Sequence, residues 1–210
     1  MSATDRRLVV TADDFGLSRE VNEAVEQAHR EGILTAASLM VSAPAAADAV
    51  ARARRMPGLR VGLHLVLVEA WPTLPAAALP DLTDGRGLMR SDMERMGLDL
   101  ALKSGARRQL AAEIEAQFEA YRATGLPLDH VNAHKHFHIH PLIAGAVLRI
   151  GPRYGMRAIR VPREPRAVLR LAEPGFTPRP ALDTAPWAAL LAVRARQLGL
   201  LIPFALIAAG

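Results

Sequence analysis

Three short apolar runs, the first two each followed by a stretch with helical character, constrain this chain more than any other feature. Arg7 to Ala12 (RLVVTA), Ile33 to Ser42 and Leu59 to Val68 (LRVGLHLVLV) are short, apolar and suited to buried strands. Between the first two, Ser18 is placed to cap a helix with Val21, Ala24, Val25 and Ala28 on one face and Gly32 closing it. Between the second and third, Pro44 to Arg55 is an Ala-rich helix opened by a proline, where the missing N–H does no harm. Such alternation predicts a parallel sheet covered by helices.

The rhythm breaks at Glu69 to Gly105, a stretch rich in Pro, Gly and Asp that reads as one long loop, either a functional cover or an insert. Arg107 to Ala123 predicts an amphipathic helix with Leu110, Ile114, Phe118 and Tyr121 on its buried stripe. Leu126, Leu128 and Val131 then lead as a short strand into a histidine-rich segment. A helix over Pro141–Tyr154 and a strand over Ala158–Val161 follow. Arg163 to Pro186 is proline-rich and takes no assignment, Pro186 to Leu198 reads as helix, and Leu200 to Ile207 as a final strand. With 210 residues and neither repeat nor linker, the chain is expected to be a single domain over 1–210 with its insertion at about 69–105.

Composition removes several kinds of chemistry. There is no cysteine, hence no disulfide, no thiolate ligand and no cysteine nucleophile, and any metal must be held by His, Asp or Glu. The absence of disulfides fits a reducing compartment, and a cytoplasmic location is the expectation. The net charge of +5 comes almost entirely from arginines scattered in small groups, without a basic block interleaved with aromatics, so nucleic acid is not the expected partner. The start, MSATDRRLVVTADDFG, has no apolar leader, and the apolar stretch Trp187 to Ala209 is broken by Arg194, Arg196 and Pro203, so no membrane span is expected.

Five of the seven histidines fall between Asp129 and Pro141, in DHVNAHKHFHIHP. From His134 they recur at every second residue. On an extended chain His134, His136, His138 and His140 would therefore share one face. Such a row binds a metal, moves protons, or sits in solvent without a task. Four imidazoles cannot all ligate one ion that also keeps an open position, so some must have other roles.

Asp13/Asp14, His64 and the group at His134 each fall at the carboxyl end of an expected strand. In parallel α/β folds those ends gather on one face, where active sites are built. One carboxylate and two imidazoles make a facial site for a divalent ion with room for water and substrate. The second carboxylate is then free to act as a base, and a nearby histidine to protonate a leaving group. These parts suit hydrolysis of an amide or ester.

VTADDFGLS, VGLHLVL and VNAHKHFHIHP, in that order, resemble the three motifs of the YdjC/ChbG-like carbohydrate deacetylases. The resemblance implies a distorted TIM-like (β/α) barrel and a metal-dependent hydrolase that removes an N-acetyl group from an amino sugar. It implies Asp13 as catalytic base, and Asp14, His64 and His134 as ligands of one divalent ion, magnesium or zinc. His136 and His138 match further family histidines, one of which is given leaving-group protonation, whereas His140 matches none and is read as a surface residue near a helix start. RVPREP, from Arg160 to Pro165, is similar to the hopanoid-biosynthesis-associated (HpnK-like) branch, which implies a glycolipid substrate and a substrate-binding role for Arg160. Trp71, in the long loop, is the candidate platform for stacking on a sugar ring.

The resemblance is strongest over about residues 7–165 and then fades, and family members run longer, so the C-terminal part of the barrel is expected to be truncated. Two alternatives stand beside the deacetylase reading. One is a catalytically impaired relative that binds metal or sugar; the other is an amidohydrolase of a non-sugar amide. Peripheral membrane contact and homo-oligomer formation are left open.

Overall fold

A computed structural model of the chain describes residues 8–163 and 184–203. The strands β1 (Thr11–Phe15), β2 (Ala36–Leu39), β3 (Arg60–Leu65) and β4 (Val131–Ala133) pair in that order, all parallel. Beyond β4, Ile159 bridges to Val131 and Leu201 to Ala158, again in parallel, so the sheet carries on for two more positions. Around it lie α1 (Arg19–Glu31), α2 (Ala46–Arg54), α3 (Met93–Leu102), α4 (Ser104–Ala123), α5 (Pro141–Ile150) and α6 (Ala185–Gln197). This is the parallel α/β arrangement expected from the alternating runs, with β2, β3 and β4 almost wholly buried because helices cover them and β1 only partly so. Among the described residues no helix is long and apolar enough to cross a membrane.

The local signals act largely as their chemistry dictates. Ser18 Oγ accepts from the Val21 N–H at 3.3 Å to open α1, and the Gly32 N–H returns to Ala28 O at 3.2 Å to end it. In α4 the stripe Leu110, Ile114, Phe118 and Tyr121 is buried, and the Tyr121 hydroxyl donates to Val61 O at 2.8 Å, tying the helix to β3. Full burial of one such apolar side chain contributes about 2 kcal/mol.

Five expectations need correction. Residues 69–105 are not one loop, because α3 and a 3₁₀ turn at Ala76–Ala78 lie inside it and α4 begins at Ser104 rather than Arg107. Met96 and Leu100 of α3 are buried one turn apart, and Asp92 caps it by accepting from the Arg95 N–H at 2.8 Å. That short helical signal was hidden among the surrounding Pro, Gly and Asp. The first strand starts later than Arg7–Ala12 and runs through both aspartates. The helix expected over Pro141–Tyr154 ends at Ile150 and tightens into a 3₁₀ turn over Gly151–Tyr154. The shared face of imidazoles does not form, because β4 ends at Ala133 and His134–Ile139 winds into a 3₁₀ turn. Lys135 and His136 take left-handed backbone there, at φ 51° and 55°, and turn the following histidines to different sides. The expected strands at the end survive only as the bridges at Ala158, Ile159 and Leu201, and residues 204–207 lie outside the described residues.

Candidate metal and catalytic site

In a regular strand Asp13 and Asp14 would face opposite sides of the sheet. The register of β1 against β2 shifts between Ala12 and Phe15, and Asp14 sits in left-handed backbone at φ 59°. This bulge lets both carboxylates address the carboxyl end of the sheet. An aspartate in that conformation is tolerated where its short polar side chain finds partners, and Asp14 finds two.

Asp14 Oδ1 lies 3.1 Å from His64 Nε2 and 3.0 Å from His134 Nδ1. One ligand atom from each of the three residues lies within 4.8 Å of the others. β3 presents His64 in register with Asn132 of β4, and His134 follows that strand directly. Hydrogen bonding from His134, and from His64 when its Nε2 carries a proton, holds the Asp14 carboxyl well below the usual carboxylate range.

The Asn132 amide is oriented by its neighbours. Asp13 is a carboxylate and only accepts, so the group 2.9 Å from its Oδ1 is the amide nitrogen. Asn132 Oδ1 then faces His64 Nδ1 at 2.7 Å and accepts its proton. His64 Nε2 is left as a buried lone pair with no hydrogen bond of its own, opposite a carboxylate oxygen. Two acceptors at that distance repel unless a second proton or a cation lies between them. Two imidazole nitrogens and a carboxylate oxygen are donors that a divalent ion accepts, so these residues could hold one.

Asp13 is not a metal-facing group here. Its carboxylate takes the Arg160 guanidinium, with Nη2 at 2.9 Å from Oδ1 and Nη1 on Oδ2. Burial pushes the Asp13 pKa up, but hydrogen bonds from Arg160, the charge of His64 and that of Arg160 outweigh it and hold the group at about 2. Arg160 lies at the fifth sheet position, and its reach to Asp13 on the first measures how strongly the sheet curls.

The remaining candidates are spread around this centre. His138 is fully buried, donates through Nε2 to Arg160 O at 2.7 Å, and is pushed down to about 3 chiefly by burial. His136 is partly exposed, with its ring 6.3 Å from that of His138. His140 is half-buried at the start of α5, its ring 5.3 Å from Trp187, so the reading of it as a surface residue is corrected. Trp71 is 41% exposed as a residue while its backbone is fastened. Its carbonyl accepts from Ser42 Oγ at 2.6 Å, and Glu113 of α4 accepts the Thr73 and Leu74 N–H groups at 2.7 and 2.9 Å. Two residues that the sequence did not single out, Asn132 and Ser38, are wholly buried at the centre. The only sequence signal for Asn132 is a polar residue in a strand flanked by Val131 and Ala133.

The model of a family described as YdjC-like protein matches residues 7–206. A carbohydrate deacetylase of Brevibacillus brevis is 39% identical over 148 residues, which is 70% of this chain and 56% of that protein. A carbohydrate deacetylase of Geobacillus stearothermophilus is 36% identical, covering 77% of this chain and 63% of its own length. A chitooligosaccharide deacetylase of Enterobacter sp. (strain 638) is 32% identical, at 78% and 62%. The chain thus spans less than two thirds of the length of these curated relatives. A crystal structure from Enterococcus faecalis V583 superposes with a TM-score of 0.67 at 22% identity, covering 90% of this chain and 66% of that one. The likeness in fold supports the TIM-like barrel type expected for the parallel sheet.

Proposed function

The chain belongs to the YdjC-like family, and from that premise we propose that it hydrolyses the N-acetyl group of an amino sugar, with Asp14, His64 and His134 cradling one divalent ion and Asp13 as the base. The observation that carries the reading is the convergence of those three ligand atoms within 4.8 Å beside a second carboxylate kept ionised by Arg160. Carbohydrate and chitooligosaccharide deacetylases among the relatives support the amino-sugar class.

Asp13 is charged throughout the physiological range and, with Arg160 and Asn132 filling its other directions, offers one well-oriented acceptor for a proton of the attacking water. A carboxylate held near a pKa of 2 is a weak base, so that water must itself be acidified and the acetamide carbonyl polarised, which is the chemistry a divalent ion supplies when bound here. Leaving-group protonation goes to His136 rather than His138. The support is that His138 is sealed from solvent and spends its Nε2 proton on the backbone of Arg160, which makes it a strut under the Asp13–Arg160 pair. Trp71 stacks on the sugar ring from the rim. Arg160 acts on the substrate only through Asp13.

The test is acetate release from N-acetylated chitooligosaccharides and from an N-acetylated glycolipid, with magnesium, zinc, manganese or cobalt added, alongside measured metal content. Activity that needs a tightly held divalent ion, and that disappears in Asp14→Ala and His134→Ala, is the expected outcome. A folded protein that holds the ion but releases no acetate from either substrate would overturn the deacetylase reading.

A further inference from the structure

Underneath the site, on the side away from the Asp14 carboxylate, runs a line of contacts that the proposed chemistry does not use. Asp129 Oδ2 lies 3.0 Å from His130 Nδ1, and His130 Nε2 lies 2.9 Å from Ser38 Oγ. Ser38 Oγ in turn lies 3.0 Å from Asn132 Nδ2, whose other proton goes to Asp13. Asn132 Oδ1 takes the Nδ1 proton of His64. Ser38 and Asn132 are both fully buried, and the line ends outside at the part-exposed Asp129.

The sheet register explains how these residues meet. Ser38 of β2 is paired with Gly62 of β3, and Gly62 continues that row to His130, just ahead of β4. Gly62 has no side chain, so the Ser38 hydroxyl reaches over β3 to the imidazole beyond. A Cβ on Gly62 would fall 2.5 Å from His130 O and 2.6 Å from its ring. The gap left by this glycine is therefore filled by the His130 ring.

With His130 neutral, one assignment of protons gives every contact one donor and one acceptor. Asp13 and Asp129 can only accept. Asn132 must then donate to Ser38 Oγ, and the hydroxyl proton of Ser38 goes to His130 Nε2, with the Asp13 carboxylate as a second neighbouring acceptor. His130 in turn donates its Nδ1 proton to Asp129. Were His130 protonated on Nε2 instead, its bare Nδ1 would face the Asp129 carboxylate. The direction of the hydrogen bonds is thus set from both ends, by Asp13 at Asn132 and by Asp129 at His130.

We propose that Asp129, His130 and Ser38 are positioning residues which, through Asn132, hold His64 in the tautomer that carries its proton on Nδ1 and turns a bare Nε2 toward Asp14. A ligating histidine whose other nitrogen is held by a hydrogen bond gains a defined tautomer and ring orientation, and here that support extends four residues outward to solvent. The inference rests on the metal reading of the site only for its second readout, metal affinity.

The experiment is ¹⁵N-histidine NMR on the metal-free protein at about pH 8, above the ordinary imidazole range, with His64 and His130 assigned from His64→Gln and His130→Gln. Both rings are expected as single Nδ1–H tautomers in the unsubstituted protein. Ser38→Ala and Asp129→Ala are expected to give mixed tautomers at His64, with zinc affinity falling about tenfold, while Asp129→Asn, whose amide oxygen still accepts from His130, restores both. An Nε2–H tautomer at His64 in the unsubstituted protein overturns the proposal, and so does an unchanged single tautomer with unchanged zinc affinity in both alanine variants. Asp129 is at the surface, so that variant tests the line even if Ser38→Ala fails to fold. If zinc does not bind at all, the metal reading fails while the tautomers still decide this one.

Discussion

Arg160 grips Asp13 across the curled sheet, placing Nη2 2.9 Å from Oδ1 and Nη1 on Oδ2, although the two residues lie 147 positions apart in sequence. A forked guanidinium on a carboxylate fixes orientation as well as charge. Replacing Arg160 by Met removes both. The burial of Asp13 would then act with less opposition, and its pKa should rise from about 2. The acid limb of the pH–rate profile is expected to move to higher pH, with kcat/KM down at least about tenfold at neutral pH. An acid limb that stays in place would remove Asp13 from the role of base.

The same depression makes a stability prediction. Asp13 has its folded pKa at about 2 against an ordinary 3.8, so its ionised form favours folding. That contribution is present above about pH 4 and is lost as pH falls through the window between those values. Asp14 is depressed as well and acts in the same direction. In the metal-free protein, the acid-induced loss of stability should be shallower in Asp13→Asn than in the unsubstituted chain, measured by urea unfolding at a series of pH values.

Glu113 anchors the segment after Trp71 from inside. Its buried carboxylate accepts from the Thr73 and Leu74 N–H groups and from Gln117 Nε2, the last at 2.7 Å. Glu113→Ala leaves those donors without their partner, and a loss of about 1–3 kcal/mol is expected in chemical denaturation. Faster amide exchange at Thr73 and Leu74 should accompany it. Burial raises the Glu113 pKa, so by itself this group favours folding less as pH rises through its folded pKa.

Trp71→Ala tests the rim as a sugar platform. Trp71 is 41% exposed while the loop that carries it stays fastened at Ser42 and Glu113. Loss of one stacking contact should raise KM for a chitooligosaccharide about three- to tenfold with kcat nearly unchanged. An equal fall in kcat would point to a structural role instead.

Much of the scaffold is legible in the residues themselves. The second and third apolar runs, the Ser18 cap, Gly32 and the stripe on α4 are local signals whose physics acts within a few positions, and they appear where their chemistry puts them, while the first strand is displaced toward the two aspartates. The long-loop reading failed at α3 because this ten-residue helix lies among Pro, Gly and Asp and its stability comes from packing, which no neighbouring residue announces. The candidate ligands were legible for a different reason. Asp and His are the donors available in a chain without cysteine, and strand ends are where a parallel sheet collects them.

The sequence by itself determined which groups can donate and roughly where along each strand they fall. Only the tertiary structure decided their directions. The bulge at Asp13–Asp14 and the left-handed turn at Lys135–His136 override the two-residue period on which a row of imidazoles depended. The roles of Asn132, Ser38, His130 and Arg160 rest on contacts across 68 to 147 positions of chain. Such contacts are set by strand register and by the empty space over Gly62, and neither is encoded in the spacing of residues along one segment.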